Sequence, residues 1–187
     1  MTTMTREDRL VDLSGVPRNT VDIAGRAFLA CVLEVGAPKP GNVSPDRPFA
    51  DVSYDDFLLS AGAIAPPFEG VGRHRLGETI LRAVEATAAR TRANTNLGIV
   101  LLMAPLARAA ARLLDVPIPS DRDERLVNLR REAGHVLAET TVNDARDVYK
   151  AIRLANPGGL GSAEDQDVVN EPTVTLISCY PYLVNNQ

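Results

Sequence analysis

Apolar residues recur with helical spacing through most of the chain, and no stretch shows the sustained two-residue alternation of a half-buried strand. Residues 1–18 are polar and mixed in charge and read as a loose leader. Asn19-Thr20-Val21-Asp22 opens a first helix, with a capping side chain and an acid in the first turn. The segment to about Gly36 is apolar nearly all round, as suits a helix buried on most sides, and Pro38 and Pro40 end it. After a turn-rich connection over 38–52, Ser53 opens a second helix with Asp56 three residues on, a near capping box. Pro66-Pro67 predicts its end.

Leu76, Ile80, Leu81, Val84 and Ala88 mark a third, amphipathic helix over 76–91. Asn94-Thr95-Asn96 is a cap-rich start for the apolar run 97–114, which Pro105 is expected to kink or split. Ser120 begins a charged helix to about Glu139, with one stripe of Leu126, Leu129, Ala133, Val136 and Leu137. Thr141-Val142-Asn143-Asp144 starts another, which Asn156-Pro157-Gly158 stops near Ala155. The pattern predicts an all-α fold: a single multi-helix domain, orthogonal or bundle-like, of about six helices within 19–172. Residues 173–187 form an atypical tail. Its end, Ile177–Gln187, has no helical stripe and no charge yet holds two of the four tyrosines, as in a truncated, altered or frayed terminus.

A length of 187 residues suits one domain. The net charge of −4 argues against a general electrostatic grip on nucleic acid. The longest uncharged apolar run, Leu97 to Ala107, falls well short of the ~20 residues that cross a bilayer. Two cysteines, Cys31 and Cys179, cannot build a disulfide framework, and the start of the chain lacks a basic-then-apolar signal. A cytoplasmic protein without a nucleic-acid or membrane partner is expected. Of the 20 basic residues only Lys39 and Lys150 are lysines, so a lysine at 39 asks for a reason.

Four clusters have candidate chemistry. Glu34 is the only charge between Arg26 and Lys39 and sits near the end of an apolar helix. A carboxylate buried there either pairs with a nearby cation, Lys39 being the obvious one, or awaits a ligand. The Pro40-Gly41-Asn42 turn lets backbone approach a ligand and leaves Lys39 as a point charge suited to phosphate. Asp51, Asp55 and Asp56 offer carboxylates for Mg²⁺ beside a triphosphate, although Asp55 and Asp56 are better explained as helix-start acids, whereas Asp51 lies outside the helix. Asn94, Thr95, Asn96 and Gly98 offer free backbone N–H groups at a helix start, an anion site or an ordinary cap. Gly158-Gly159-Leu160-Gly161-Ser162, with Glu164, Asp165 and Asp167 behind it, is a weak phosphate-loop pattern. His74 and His135 do not have metal-site spacing, and Cys31 reads as packing.

As an ordered set, Glu34-Val35-Gly36-Ala37-Pro38-Lys39-Pro40-Gly41-Asn42-Val43, then Asp51-Val52-Ser53-Tyr54-Asp55-Asp56-Phe57, then Asn94-Thr95-Asn96-Leu97-Gly98 resemble the triphosphoribosyl-dephospho-CoA synthase family. That family shows an E…PKPG(L/N)V turn, a D-M-x-x-x-x-F segment and an N-T-(H/N)-x-G helix start in this order and spacing. The resemblance covers about residues 20–172. It implies an all-helical transferase that takes ATP and 3′-dephospho-CoA, joins the triphosphoribosyl group to the acceptor's ribose 2′-hydroxyl and releases adenine. Breaking the ribose–adenine bond develops positive charge at C1′, which a carboxylate stabilises, while a second group takes the acceptor's proton. The resemblance gives that chemistry to Glu34, with Asp51 as alternative or as metal ligand. It gives triphosphate binding to Lys39, Gly41, Asn42, Asn94, Thr95, Asn96 and Gly98, and Mg²⁺ accompanying ATP to Asp51 and Asp55. Self-association remains open.

Asn96-Leu97 stands where the best-known members carry a His-basic pair, and the C-terminal half is expected to be shortened. Asp147–Pro172 is more similar to a divergent branch found near one-carbon and pterin-cofactor genes. A pterin-like cofactor precursor therefore stands as alternative acceptor, and an inactive helical binding module as the alternative of a different class.

Overall fold

The computed structural model describes residues 20–39, 43–47, 49–50 and 52–156. They form six helices: α1 (Thr20–Gly36), α2 (Tyr54–Glu69), α3 (Leu76–Ala88), α4 (Leu97–Arg112), α5 (Arg122–Ala138) and α6 (Val142–Ala155). Among the described residues there is no strand, only an isolated bridge between Ser44 and Arg47. Among the described residues no helix is long and apolar enough to cross a membrane. The leader over 1–18, the glycine loop over 158–162 with its acids, and the tail over 173–187 lie outside the described residues.

α2, α5 and α6 start where a capping side chain satisfies their first N–H groups. Ser53 and Thr141 close full capping boxes with Asp56 and Asp144, three residues into α2 and α6. The fifth helix is capped by Asp121 rather than Ser120, because the Asp121 carboxylate accepts from the N–H groups of Asp123 and Glu124. Asn156, in the left-handed region at φ 42°, ends α6 as its sequence predicts.

One proline expectation is corrected and one narrowed. The second helix does not stop before Pro66-Pro67 but runs through both to Glu69. Ile64 and Phe68, fully buried, continue one core-facing stripe across the prolines, and that burial offsets the missing N–H groups. The fourth helix is not split at Pro105, which is itself buried in the core face. The third helix ends at Ala88, three residues short of the predicted end, and the N–H groups of Arg90 and Thr91 close the last turn onto the Thr87 carbonyl.

α4 is central, packing against α1, α3, α5 and α6, while α3 also packs on α2 and α6. α1 and α2 pair with the end of α1 beside the start of α2: a methyl group built on Gly36 would lie 3.9 Å from the Tyr54 hydroxyl. One built on Gly72, just past α2, would lie 3.8 Å from both Thr20 and Ala111. The described helices therefore have two ends. One gathers the end of α1, the start of α2, the end of α3 and the start of α4.

The opposite end is locked by charge. The carboxylate of Asp144, buried at the start of α6, accepts from the Gly77 N–H at 2.9 Å and pairs with Arg75. Arg75 also reaches Asp147 at 2.7 Å. Arg108 donates to the carbonyls of Val71 and His74, and Arg112 pairs with Glu132 and Glu139. An apolar cavity of about 330 Å³ opens beside the start of α1, lined by Ile23, Leu113, Leu114, Val116, Ile118 and Leu129. From Arg26, the α1 lining residue nearest the motif, to Glu34 is eight residues of helix, about 12 Å. The cavity is thus remote from every motif residue on α1.

Candidate functional site

The motif stretches meet at one end of the fold because the helices carrying them terminate there. Glu34 lies in the last turn of α1, and its carboxylate pairs with the ammonium of Lys39 just beyond the helix. Both side chains are about two-fifths exposed. The expectation of a buried Glu34 is therefore corrected: the last turn of α1 turns residues 33 and 34 outward and Val35 inward. Glu34 still acts on its surroundings. Burial pushes the Cys31 thiol, one turn back, up to about 11, and the Glu34 carboxylate adds to the rise.

The start of α2 supplies the next part. Asp55 is exposed, whereas Asp56 turns into the fold. Asp56 Oδ2 accepts from the Ser53 N–H at 2.9 Å and the Ser53 hydroxyl at 2.8 Å, and Oδ1 accepts from the Thr91 hydroxyl at 3.0 Å. These bonds, those of Ser53 foremost, hold the Asp56 carboxyl below the usual aspartate range.

The segment between α3 and α4 is tied to α2 one turn later. The Ser60 hydroxyl donates to the Asp56 carbonyl at 2.7 Å, so it receives its bond from the Thr95 hydroxyl. The buried Asn96 carboxamide donates to Thr87 Oγ1 at 2.9 Å and to the Ser60 carbonyl at 3.4 Å. Asn96 precedes α4 without capping it by its side chain. The Asn94 side chain instead accepts the Leu97 N–H at 3.3 Å. Gly98, in the first turn, is exposed with open space beside its Cα.

The predicted residues thus fall into three groups. Lys39 and Glu34 form an exposed pair, and Asn94 and Gly98 stand exposed at the start of α4. Thr95 and Asn96 spend their side chains on holding the segment. Asp51, Gly41 and Asn42 lie outside the described residues. For a metal, the described residues contain no cluster of three His, Cys, Asp or Glu side chains. Asp55 alone suits an ion that arrives with its own phosphate ligands, since Mg²⁺ is satisfied by one or two carboxylates plus phosphate and water oxygens.

Ser60, Thr87 and Thr91 are missing from the sequence-based set. Their signal was modest: a lone serine inside the apolar run 57–65, and two threonines at i, i+4 ending an apolar stripe. Asp56 was read as a metal carboxylate or as a helix-start acid, and it closes the cap of α2. Its second bond, to a residue 35 positions on, has no local signature.

No curated protein and no solved structure matches the chain. Residues 20–180 match the family CitG, ATP:dephospho-CoA triphosphoribosyl transferase. That span takes in all six helices and the three motif stretches that meet where α1 ends and α2 and α4 begin. This chain belongs to the ATP:dephospho-CoA triphosphoribosyl transferase family.

Proposed function

We propose that this protein transfers the triphosphoribosyl group of ATP to 3′-dephospho-CoA and releases adenine. The observation carrying the proposal is the shared location of the exposed Glu34–Lys39 pair, the start of α2 and the start of α4, whose N-cap residue Asn96 makes no side-chain cap. A triphosphate needs cations and N–H donors, and a ribosyl C1′ losing adenine needs a carboxylate; this end offers all three types.

In this reading Mg·ATP is the substrate, and its triphosphate lies against the first turn of α4, where Gly98 leaves room. Lys39 then bonds phosphate as well as Glu34, and Asn94, Thr95 and Asn96 shape the cradle, completed by Gly41 and Asn42. Asp55 and Asp51 are the carboxylates offered to the magnesium ion. Glu34 faces the positive charge that grows on C1′ as the bond to adenine N9 breaks, with Asp51 as its alternative. The acceptor 2′-hydroxyl forms the new bond to C1′ and gives its proton to one of these carboxylates. The adenine keeps the electron pair of the broken bond and takes up a proton.

The test is direct. Incubating the protein with Mg·ATP and 3′-dephospho-CoA should release free adenine, read by liquid chromatography, with a coupled product of matching mass. Adenine release that requires a pterin precursor instead would reassign the acceptor. Binding of Mg·ATP without any adenine release would make the chain a nucleotide-binding module, and the transfer reading would be wrong.

A further inference from the structure

Catalysis at this end requires residues 94–98 to stay in place, yet they are a loop and a first helical turn that no side chain of α4 caps. What holds them comes from elsewhere. We propose that Asp56 and Thr91 are positioning residues that fix the nucleotide-facing segment 94–98 against α2, an inference that rests on the function proposed above.

A helix cap needs only one carboxylate oxygen of Asp56, and Oδ2 alone closes the box with Ser53. Oδ1 is left over, and it takes the Thr91 hydroxyl at 3.0 Å across 35 residues of chain. Thr91 is buried, and the same oxygen that donates to Asp56 accepts the Ala93 N–H at 3.2 Å. One hydroxyl thus joins α2 to the turn that delivers Asn94. Ser60 with Thr95, and Thr87 with Asn96, add two further ties within the next residues. Each donor in this hydrogen-bond network meets an acceptor, and among the described residues no buried polar side-chain atom lacks a partner. Such a network holds one geometry because every alternative leaves a polar group unsatisfied. Neither Asp56 nor Thr91 touches substrate in this scheme.

Thr91→Val removes the hydroxyl while keeping the shape, and Thr91→Ser restores it. In the full chain, Thr91→Val should weaken Mg·ATP binding about tenfold by calorimetry. Amide hydrogens of 93–99 should exchange about tenfold faster, while those of α5 keep wild-type rates; Thr91→Ser should behave as wild type in both. Wild-type ATP affinity in Thr91→Val, or equal acceleration of exchange in α5 and 93–99, would overturn the proposal. If the wild-type protein itself fails to bind Mg·ATP, the transferase reading fails. Exchange then decides the positioning role alone: acceleration confined to 93–99 supports it, and unchanged or uniform exchange refutes it. Should Thr91→Val not fold, Thr91→Ala is read in the same way, since it too removes the hydroxyl and leaves the Asp56–Ser53 cap intact.

Discussion

Single atoms decide much in this fold, and Gly77 is the sharpest case. A methyl group there would stand 2.3 Å from the Asp144 carbonyl oxygen and 2.5 Å from its Cα, both backbone atoms that cannot swing aside. Gly77→Ala should therefore cost about 2–3 kcal/mol or more of stability, read as a lower urea midpoint. Nothing in the sequence marks this glycine, since the helix it approaches begins 65 residues later. Glu34 shows the opposite limit. Its isolation between Arg26 and Lys39 was legible, but its exposure was not, because a helix apolar nearly all round does not say which side meets water. Glu34→Gln and Lys39→Ala should each cut adenine release by about a hundredfold or more while leaving the far-ultraviolet dichroism unchanged. Full rate in both variants would remove them from the site.

At the scale of the element, helix starts were legible and some ends were not. Caps are local: Ser53 and Thr141 meet their partners three residues away, so the sequence alone places them. Ends depend on what the last turn packs against. Phe68 is fully buried beyond Pro66 and Pro67, and its burial carries α2 through residues that would stop an isolated helix. Pro66 is exposed and contributes no core contact to offset its missing N–H. Pro66→Ala should therefore raise stability by about 1–3 kcal/mol, visible in thermal or urea unfolding; an unchanged or lower midpoint would show that the ring is needed. In α5 the predicted stripe is used except at its start: Ala133 and Val136 are buried and Leu129 and Leu137 pack against the core, but Leu126 is 54% exposed. The start of that helix extends beyond its packing against α4.

Over the whole molecule, polar groups lock both ends. Burial alone would raise the Asp144 carboxyl, but hydrogen bonds from Thr141 and Gly77, with Arg75 beside it, hold it below the ordinary range. Asp56 is lowered at the other end. A carboxyl whose folded value lies below its unfolded one stabilises the fold fully above the unfolded value, near pH 4. That contribution is lost as pH falls through the folded value. Melting temperature should thus fall as the pH drops from about 5 toward 2. Asp144→Asn should be less stable than wild type at pH 7 and show a shallower fall; parallel curves for the two proteins would refute the assignment.

The sequence by itself determined the helical class, the helix starts and the order of three motifs, because capping, periodicity and turn chemistry act over a few residues. Only the tertiary structure decided that Asp56 answers Thr91, that Asn96 faces the interior and that Gly77 lies against the start of α6. Those relations join residues 9 to 67 positions apart. Their energies come from burial and from leaving no polar group unmatched, and both depend on how the helices pack rather than on any short stretch of chain.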